Sequence, residues 1–272
     1  MRNLQIEPTP APPSDKLAAV FVSDTHLQPE SPHTAQAFLD FLSQVGVRTR
    51  QLYLLGDLFE YWAGDDDLDA PFNARIVAAL RAVSNAGVEL FWMAGNRDFL
   101  VDAGFMQATG ATLLADPSVV TIAGRKIVLM HGDAQCTDDI DYQAFRSQVR
   151  TTAWQQTFLA MPLEKRLAII AQMRQQSRAA QQMKMDRIMD VNPGAIAELF
   201  AATGASLMIH GHTHRPASHE AVVDGRRVFR HVLPDWDFEG SAARGGGIVI
   251  HANGDMEKVH ARSEKPCANL PG

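Results

Sequence analysis

Cysteine is scarce in this chain, which has two, Cys136 and Cys267, among 272 residues. Two thiols cannot form a disulfide framework or a zinc site built from thiolates, and such scarcity is typical of a reducing compartment. We therefore expect a cytoplasmic protein. Long apolar runs are missing as well, because none approaches the roughly 20 residues that cross a bilayer. Any contact with a membrane is expected to be peripheral.

Excess positive charge is also missing. The sequence has 25 Lys and Arg against 31 Asp and Glu, a net charge of −6, so no overall basic field favours nucleic acid as a partner. The length and the 46% hydrophobic content suit one large domain, and we expect a monomer. Residues 1–16 hold four prolines and no apolar core of a signal peptide, which predicts a disordered lead-in. The domain is expected at 17–260, followed by a weakly ordered tail at 261–272.

The domain begins with short apolar runs that each end in a polar tip. These runs lie at 17–22, 51–55, 88–93, 126–130 and 206–209. Helix-like patterns such as 34–45 and 73–86 separate the early runs. Continuous apolar runs are typical of strands buried on both faces, so the alternation predicts an α/β fold. From residue 222 onward the pattern predicts strands separated by turns, in a second, mostly antiparallel sheet.

Residues that can bind metal ions follow the strand ends. In chain order they are Asp24-x-His26, Gly56-Asp57, Gly95-Asn96, His131 and Gly211-His212-Thr213-His214. Ligands gather at the carboxyl ends of strands in α/β sheets. Seven such groups exceed the needs of one ion and suit two ions that share a carboxylate. Oxygen and imidazole donors without thiolate favour Mn²⁺, Fe²⁺, Zn²⁺ or Co²⁺.

Charge balance at such a pair of ions favours an anionic substrate. Two divalent ions contribute four positive charges, whereas Asp24, Asp57 and a shared hydroxide remove three. The site stays positive, so a phosphate is the natural ligand. Metal binding also lowers the pKa of water to about 7, which makes hydroxide available near neutral pH.

The ordered set of motifs resembles the calcineurin-like metallophosphoesterases over about residues 17–233. Within that superfamily, longer stretches look like the UDP-2,3-diacylglucosamine diphosphatases of lipid A biosynthesis in Gram-negative bacteria. These stretches are GDLFEYWAGDDD (56–67), GNRDFL (95–100), HGDAQCTDDIDYQAFR (131–146), IMDVNP (188–193) and HGHTHRP (210–216). The resemblance implies an α/β sandwich of two mixed β-sheets flanked by helices, with a helical insertion at 141–204 as a lid.

The resemblance also implies which residues act. It places the metal ligands, for two divalent ions that are Mn²⁺ in that family, at Asp24, His26, Asp57, Asn96, His131, His212 and His214, with Asp57 as the bridge. It places substrate contacts at Asn96, Arg97, Asp139, Tyr142, Ser177, Gln181, Lys184 and His212. Gln181 stands at a position that is asparagine in relatives.

The reaction that the resemblance implies takes place at the cytoplasmic face of the inner membrane. A hydroxide shared by the metals attacks the α-phosphorus of UDP-2,3-diacylglucosamine, which releases UMP and 2,3-diacylglucosamine 1-phosphate. Asn96, Arg97 and His212 are the catalytic residues that hold the phosphates while charge develops.

Arg97 supports pyrophosphate cleavage independently of the resemblance. Many metallophosphoesterases carry a histidine at this place that can protonate an alkoxide leaving group. An arginine cannot, because its pKa exceeds about 12. A phosphate monoester, with a second pKa near 6, leaves without that proton. Arg97 is therefore expected to clamp phosphate oxygens.

The insertion has its own composition. Between residues 143 and 185 it carries seven basic residues and one acid, Glu164. Apolar residues recur near helical spacing: Trp154, Phe158, Leu159, Leu163, Leu167, Ile170 and Met173. Such a surface could bury acyl chains while its cations attract lipid headgroups. The alternative is an amphipathic cap packed on the sheet.

Other interpretations remain open at this point. A related phosphodiesterase or nucleotide pyrophosphatase would use the same metals on a soluble substrate, and a non-catalytic scaffold could share the fold.

Asp98 and Asp133 could orient histidines or Arg97, or form loop salt bridges. Asp65–Asp67 are expected in a solvated loop that caps the helix starting near Pro71. Cys136 is expected to be a small buried residue that fills space in the core.

Overall fold

The structure is a computed structural model that describes residues 17–181 and 190–261, apart from the side chains of 176–181. The predicted lead-in and nearly all of the predicted tail lie outside the described residues, so the domain boundaries stay predictions. Within the described ranges, no helix is both long enough and apolar enough to cross a membrane.

Eleven strands form two sheets in the described part of the chain. They are β1 (Leu17–Val22), β2 (Thr49–Leu55), β3 (Glu89–Met93), β4 (Thr112–Leu114), β5 (Ser118–Ile122), β6 (Arg125–Leu129), β7 (Leu207–His210), β8 (Ser218–Val223), β9 (Arg226–Val232), β10 (Gly246–Ile250) and β11 (Met256–His260). The first sheet has the order β11-β10-β1-β2-β3-β4, and the second has the order β5-β6-β7-β9-β8. Both contain parallel and antiparallel pairs. The predicted α/β sandwich of two mixed sheets is confirmed.

The strands after residue 222 correct one expectation. They do not form one antiparallel sheet: β9 runs parallel to β7 in the second sheet, whereas β10 and β11 extend the first sheet beside β1. All five residues of β10 are buried, so both faces of this strand must pack against other parts of the protein. Pairing with the free edge of β1 places β10 between two packed layers, with Val20 opposite Val249.

Seven α-helices flank the sheets within the same ranges. They are α1 (Pro32–Gln44), α2 (Pro71–Asn85), α3 (Ala103–Thr109), α4 (Ile140–Val149), α5 (Thr152–Leu159), α6 (Leu163–Gln181) and α7 (Pro193–Thr203). The helical insertion predicted at 141–204 contains four helices in its described part. The chain breaks between α4 and α5 at Thr151, whose side chain accepts the Trp154 N–H and starts α5 as a new helix.

Side chains on opposite faces of β1 enter different cores. Phe21 stacks on Tyr53 between the two sheets, with a ring centroid distance of 5.0 Å, and shares that core with Ile209 of the second sheet. Val20, whose side chain lies on the opposite face of β1, packs on the helical side with Phe38 of α1. Burial of both faces explains the continuous apolar runs of the sequence. The polar residues that follow these runs therefore lie at the edge of the sandwich where the strands end.

Candidate active site

The loops that follow β1, β2, β3, β6 and β7 meet at one edge of the sandwich. Within the first sheet, the N–H of Asp24 donates to Gly56 O at 3.1 Å. Between the sheets, the N–H of His212 donates to the Asp24 carboxylate at 2.9 Å. Asp24 is fully buried, so its carboxylate lies at the junction of both sheets.

Asp24, His26 and His214 form one half of a cluster. His26 Nε2 and His214 Nε2 are 3.1 Å apart, and His214 Nε2 lies 3.4 Å from Asp24 Oδ1. Glu60 Oε2 contacts the other nitrogen of His26 at 3.0 Å. Asp235 Oδ2 lies 3.7 Å from His214 Nδ1. Carboxylates outside the cluster thus lie on the Nδ1 side of both imidazoles, and Nε2 of each faces inward.

Asn96, His131 and His212 form the other half. Asn96 Oδ1 lies 3.0 Å from His131 Nε2 and 2.9 Å from His212 Nδ1. His131 Nδ1 lies 2.9 Å from Leu55 O, and because a carbonyl only accepts, this nitrogen carries a hydrogen. When the ring is charged, Nε2 donates its hydrogen to the oxygen of Asn96, and when it is neutral, Nε2 offers a lone pair instead. A metal ion can take the place of that proton, so this donor set fits a metal ion.

Asp57 lies between the two halves. Its Oδ2 is 4.0 Å from His26 Nε2 and its Oδ1 is 3.7 Å from His131 Nε2. Two groups of donor atoms lie within 4.8 Å of one another and could hold an ion: Asp24 with His26 and His214, and Asp24 with Asp57 and His131. Asp24 belongs to both groups, so its carboxylate also lies beside both halves. The structure brings all seven predicted metal-binding side chains together.

Burial and neighbouring charges set the protonation of the cluster. Burial opposes a charged His131, but Asp57 and Asp24 outweigh it and raise the pKa of His131 to about 9. Burial and the nearby His131 lower the pKa of His212 to about 4. Burial also opposes ionisation of Asp24, yet His214 and His131 hold the pKa of this carboxyl well below its usual range. Asp24 therefore stays ionised and attracts positive charge.

The backbone at the cluster adopts an uncommon conformation. Seven described residues other than glycine have a positive φ, and five of these are predicted ligands: Asp24, His26, Asp57, His212 and His214. Such left-handed residues are uncommon and concentrate at functional sites. Glycines 95 and 211 precede ligands for another reason: a Cβ at Gly95 would overlap the Asp57 carboxylate, and one at Gly211 would overlap that of Asp24. Only glycine permits this approach.

Asp98 binds backbone N–H groups, a role that was not among the two interpretations drawn from the sequence. It is fully buried and accepts the backbone N–H of Leu58 at 2.8 Å and that of Gly95 at 2.9 Å. Burial and the nearby Asp57 raise the pKa of Asp98 to about 7. The residue therefore fastens the loop of Asp57 to the loop of Asn96, and it has no ion-pair partner among the described residues.

A cavity of about 360 Å³ adjoins the cluster, between the strand ends and the insertion. Asn96 and Arg97 line it at the polar end, and Arg97 Nε is buried with no hydrogen-bond partner among the described residues. Trp154, Phe158, Ile170 and Met173 of the predicted acyl-binding surface also line it. Of the other three, Leu159 packs on the core, and Leu163 and Leu167 are not among the lining residues.

Two predicted substrate contacts have partners within the protein. Tyr142 lines the cavity, but its hydroxyl donates to Asp133 Oδ2 at 2.5 Å, and its ring stacks on His212 at a centroid distance of 6.2 Å. Asp139 caps α4 by accepting the Tyr142 N–H at 3.1 Å. The side chains of the remaining predicted contacts lie outside the described residues: Ser177, Gln181 and Lys184.

The basic residues of the insertion correct another expectation. Four of the seven contact acids of the rest of the domain and are not left to attract lipid headgroups. The pairs are Arg146 with Asp133 and Asp116, Arg150 with Asp133, Arg166 with Asp66, and Arg174 with Glu60. The local excess of positive charge therefore anchors the insertion to the domain.

The acidic stretch before α2 also differs from its prediction. Asp65 accepts the backbone N–H of Phe105 at 2.8 Å, so it binds the first turn of α3, while the N-cap of α2 is Ala70 and has no side-chain cap. Asp66 binds the buried Arg166. By contrast, Cys136 is buried as expected, and burial raises the pKa of its thiol to about 12.

Two carboxylates that touch the cluster were missed from the sequence. Glu60 contacts His26 and Asp235 contacts His214. Glu60 could have been found from its place three residues after Asp57 on the same loop. No neighbouring motif in the sequence indicates that Asp235 contacts the cluster, because its partner, His214, lies on another loop.

Comparison with known proteins agrees with this geometry. A family model described as calcineurin-like phosphoesterase matches residues 18–216. The UDP-2,3-diacylglucosamine hydrolase of Cellvibrio japonicus is 47% identical over 221 residues, which cover 81% of this chain and 92% of that relative. The protein of the same name from Escherichia coli is 44% identical, with 90% of this chain and 99% of the relative covered. Phosphoesterases of this family use divalent metal ions, for which the Asp and His groups here are suited. The chain belongs to the UDP-2,3-diacylglucosamine hydrolases, a family of calcineurin-like phosphoesterases.

Proposed function

We propose that this chain hydrolyses the pyrophosphate bond of UDP-2,3-diacylglucosamine in lipid A biosynthesis, releasing UMP and 2,3-diacylglucosamine 1-phosphate. The observation that carries the proposal is the continuity between the Asp, Asn and His cluster and the apolar cavity, which share Asn96. One end suits a diphosphate and the other suits acyl chains. Relatives that are 44% and 47% identical carry this substrate in their names.

Seven side chains would hold two divalent ions, Mn²⁺ by family resemblance: Asp24, His26, Asp57, Asn96, His131, His212 and His214. Bound there, the ions supply Lewis acidity toward phosphate oxygens and lower the pKa of water. The support is the donor geometry, in which His131 Nε2 and Asn96 Oδ1 face each other at 3.0 Å. Asp57, whose two oxygens face the two halves, would be shared between the ions.

The protein groups around the diphosphate need not supply a proton. The oxygen of a water molecule bonds to the α-phosphorus while the protons of that water pass to solvent, the bond from that phosphorus to the bridging oxygen breaks, and the acylated sugar leaves as its phosphate monoester. With a second pKa near 6, this leaving group is stable as an anion. Arg97 stays protonated throughout and holds phosphate oxygens, together with Asn96 and His212.

The acyl chains would lie in the cavity under the insertion, between Trp154, Phe158, Ile170 and Met173. Asp139, Tyr142, Ser177, Gln181 and Lys184 would contact the rest of the substrate. A substrate of this kind resides in a membrane, which would place the protein at the cytoplasmic face of the inner membrane. The apolar cavity would receive the lipid there.

The proposal is tested by UMP release with Mn²⁺ from the diacylated UDP-sugar and from its mono-acylated and non-acylated analogues. We expect turnover to fall steeply with each acyl chain removed. Equal turnover of the non-acylated sugar would instead indicate a nucleotide pyrophosphatase for soluble substrates. A protein that binds Mn²⁺ but cleaves none of the three would contradict the proposal.

A further inference from the structure

Glu60 lies where the insertion meets the metal-binding cluster, and its two oxygens have different partners. Oε2 contacts His26 Nδ1 at 3.0 Å. Oε1 accepts hydrogen bonds from Arg174 of α6, at 2.8 Å from Nη2 and 3.2 Å from Nε. The Glu60 side chain is 14% exposed, so solvent screens these contacts only in part. A single carboxylate thus joins a predicted metal ligand to the insertion.

Arg174 is itself fixed by further contacts. Its Nη2 donates to Gln28 Oε1 at 3.0 Å, and its guanidinium lies 5.1 Å from the centroid of the Tyr61 ring. Arg174 and Glu60 both line the cavity. A molecule that fills the cavity therefore meets the same pair that holds His26.

We propose that Glu60 is a positioning residue that ties the placement of helix α6 to metal binding at His26. The contact with His26 Nδ1 is an ion-pair contact outside hydrogen-bond geometry, and the negative charge beside Nδ1 favours a hydrogen on that nitrogen and a lone pair of Nε2 toward the cluster. The contact with Arg174 holds Glu60 in this orientation. The inference rests on the proposed metal site. Carboxylates that orient a ligating histidine typically strengthen metal binding by about 10- to 100-fold.

The chain offers a matched control on the same helix. Arg166 of α6 pairs with Asp66, so this pair also anchors the insertion to the domain. Neither residue has a described contact with the metal-binding cluster. Asp66→Asn therefore loosens the insertion in the same way as a change at Arg174, but it leaves His26 untouched.

The experiment titrates metal-free protein with MnCl₂ by calorimetry and records the histidine tautomers by ¹⁵N NMR before metal is added. We expect Glu60→Gln to weaken Mn²⁺ binding about 10-fold or more and to abolish the preference of His26 for a hydrogen on Nδ1. Arg174→Gln is expected to weaken binding about 3- to 10-fold. Asp66→Asn is expected to match the wild type.

Unchanged Mn²⁺ affinity in Glu60→Gln would overturn the proposal, as would an equal loss in Asp66→Asn. If Glu60→Gln does not fold, Arg174→Gln decides, and wild-type affinity in that variant overturns the link. These measurements use Mn²⁺ alone. A wild type that binds Mn²⁺ without cleaving the UDP-sugar would contradict the proposed function, while the titrations would still decide the role of Glu60.

Discussion

The carboxylate of Asp98 accepts the backbone N–H of Leu58 at 2.8 Å, although 40 residues separate the two in the sequence. The same side chain accepts the N–H of Gly95 at 2.9 Å. One buried residue therefore sets the distance between the loops that carry Asp57 and Asn96. The geometry of the cluster depends on a side chain that is not itself a predicted ligand.

Replacing Asp98 by Asn is expected to lower the free energy of unfolding by about 2 kcal/mol or more, because an amide has one acceptor oxygen and leaves buried N–H groups unpaired. Urea unfolding of metal-free protein measures this loss. Asp69 is exposed, and Asp69→Asn, as the control, should change stability by less than about 0.5 kcal/mol. A stable Asp98→Asn protein would show that the loops hold without this carboxylate.

Arg97→Ala is expected to lower kcat/KM for the diacylated UDP-sugar by about 100-fold or more, because it removes a donor to phosphate oxygens in a partly buried site. Its Nε has no partner in the described part of the protein, so thermal stability should stay near that of the wild type. Arg97→Lys should recover part of the activity through its charge. Full activity in both Arg97→Ala and Arg97→His would refute a clamping role.

Met173→Trp is expected to raise the KM for the diacylated substrate by about 10-fold or more, since a larger side chain fills part of the apolar cavity. Hydrolysis of a simple aryl phosphodiester, which needs no acyl pocket, should change little. Ala168 is exposed on the same helix, outside the cavity lining, and Ala168→Trp is the control. Parallel losses on both substrates would indicate that the insertion serves folding and not lipid binding.

His210 predicts a pH dependence of stability. It is fully buried, Arg230 Nη1 donates to its Nε2 at 2.9 Å, and burial together with Arg230 lowers the pKa of His210 to about 3. An unfolded histidine titrates near 6.5, so the unfolded chain binds the proton first as the pH falls. The contribution of His210 to stability is therefore complete above pH 6.5 and is lost between about pH 6.5 and 3.

Urea unfolding in EDTA at pH 7 and pH 5 tests this dependence. The wild type should lose about 2 kcal/mol more than His210→Gln between the two pH values, because the glutamine does not titrate. Equal losses in the two proteins would mean that His210 is accessible to protons in the folded state.

Local patterns were sufficient to predict that the side chains of the cluster lie together. Asp24, Asp57 and Asn96 each follow a buried strand within three residues, and parallel strands bring their carboxyl ends to one edge without further information. His131 and His212 follow strands of the second sheet in the same way. The architecture itself assembles these donors, so short stretches of sequence reveal them.

Long-range partners could not be predicted in this way. The run at 246–250 has the apolar pattern of any buried strand, and its place beside β1 depends on which edge is open after the other strands have paired. Arg166 and Asp66 are 100 residues apart, so a count of charges within the insertion cannot show that its cations have partners elsewhere. Asp65 binds the backbone N–H of Phe105, 40 residues further along the chain, and this partner is likewise not visible from the local sequence.

Five predicted ligands, among them Asp24 and His214, hold a positive φ that glycine adopts freely and that costs other residues about 1–3 kcal/mol each. Glycine at any of these positions would relax the chain and delete a donor at the same time. A laboratory selection for heat resistance alone would therefore enrich inactive variants. Directed evolution of this hydrolase needs a turnover screen in every round.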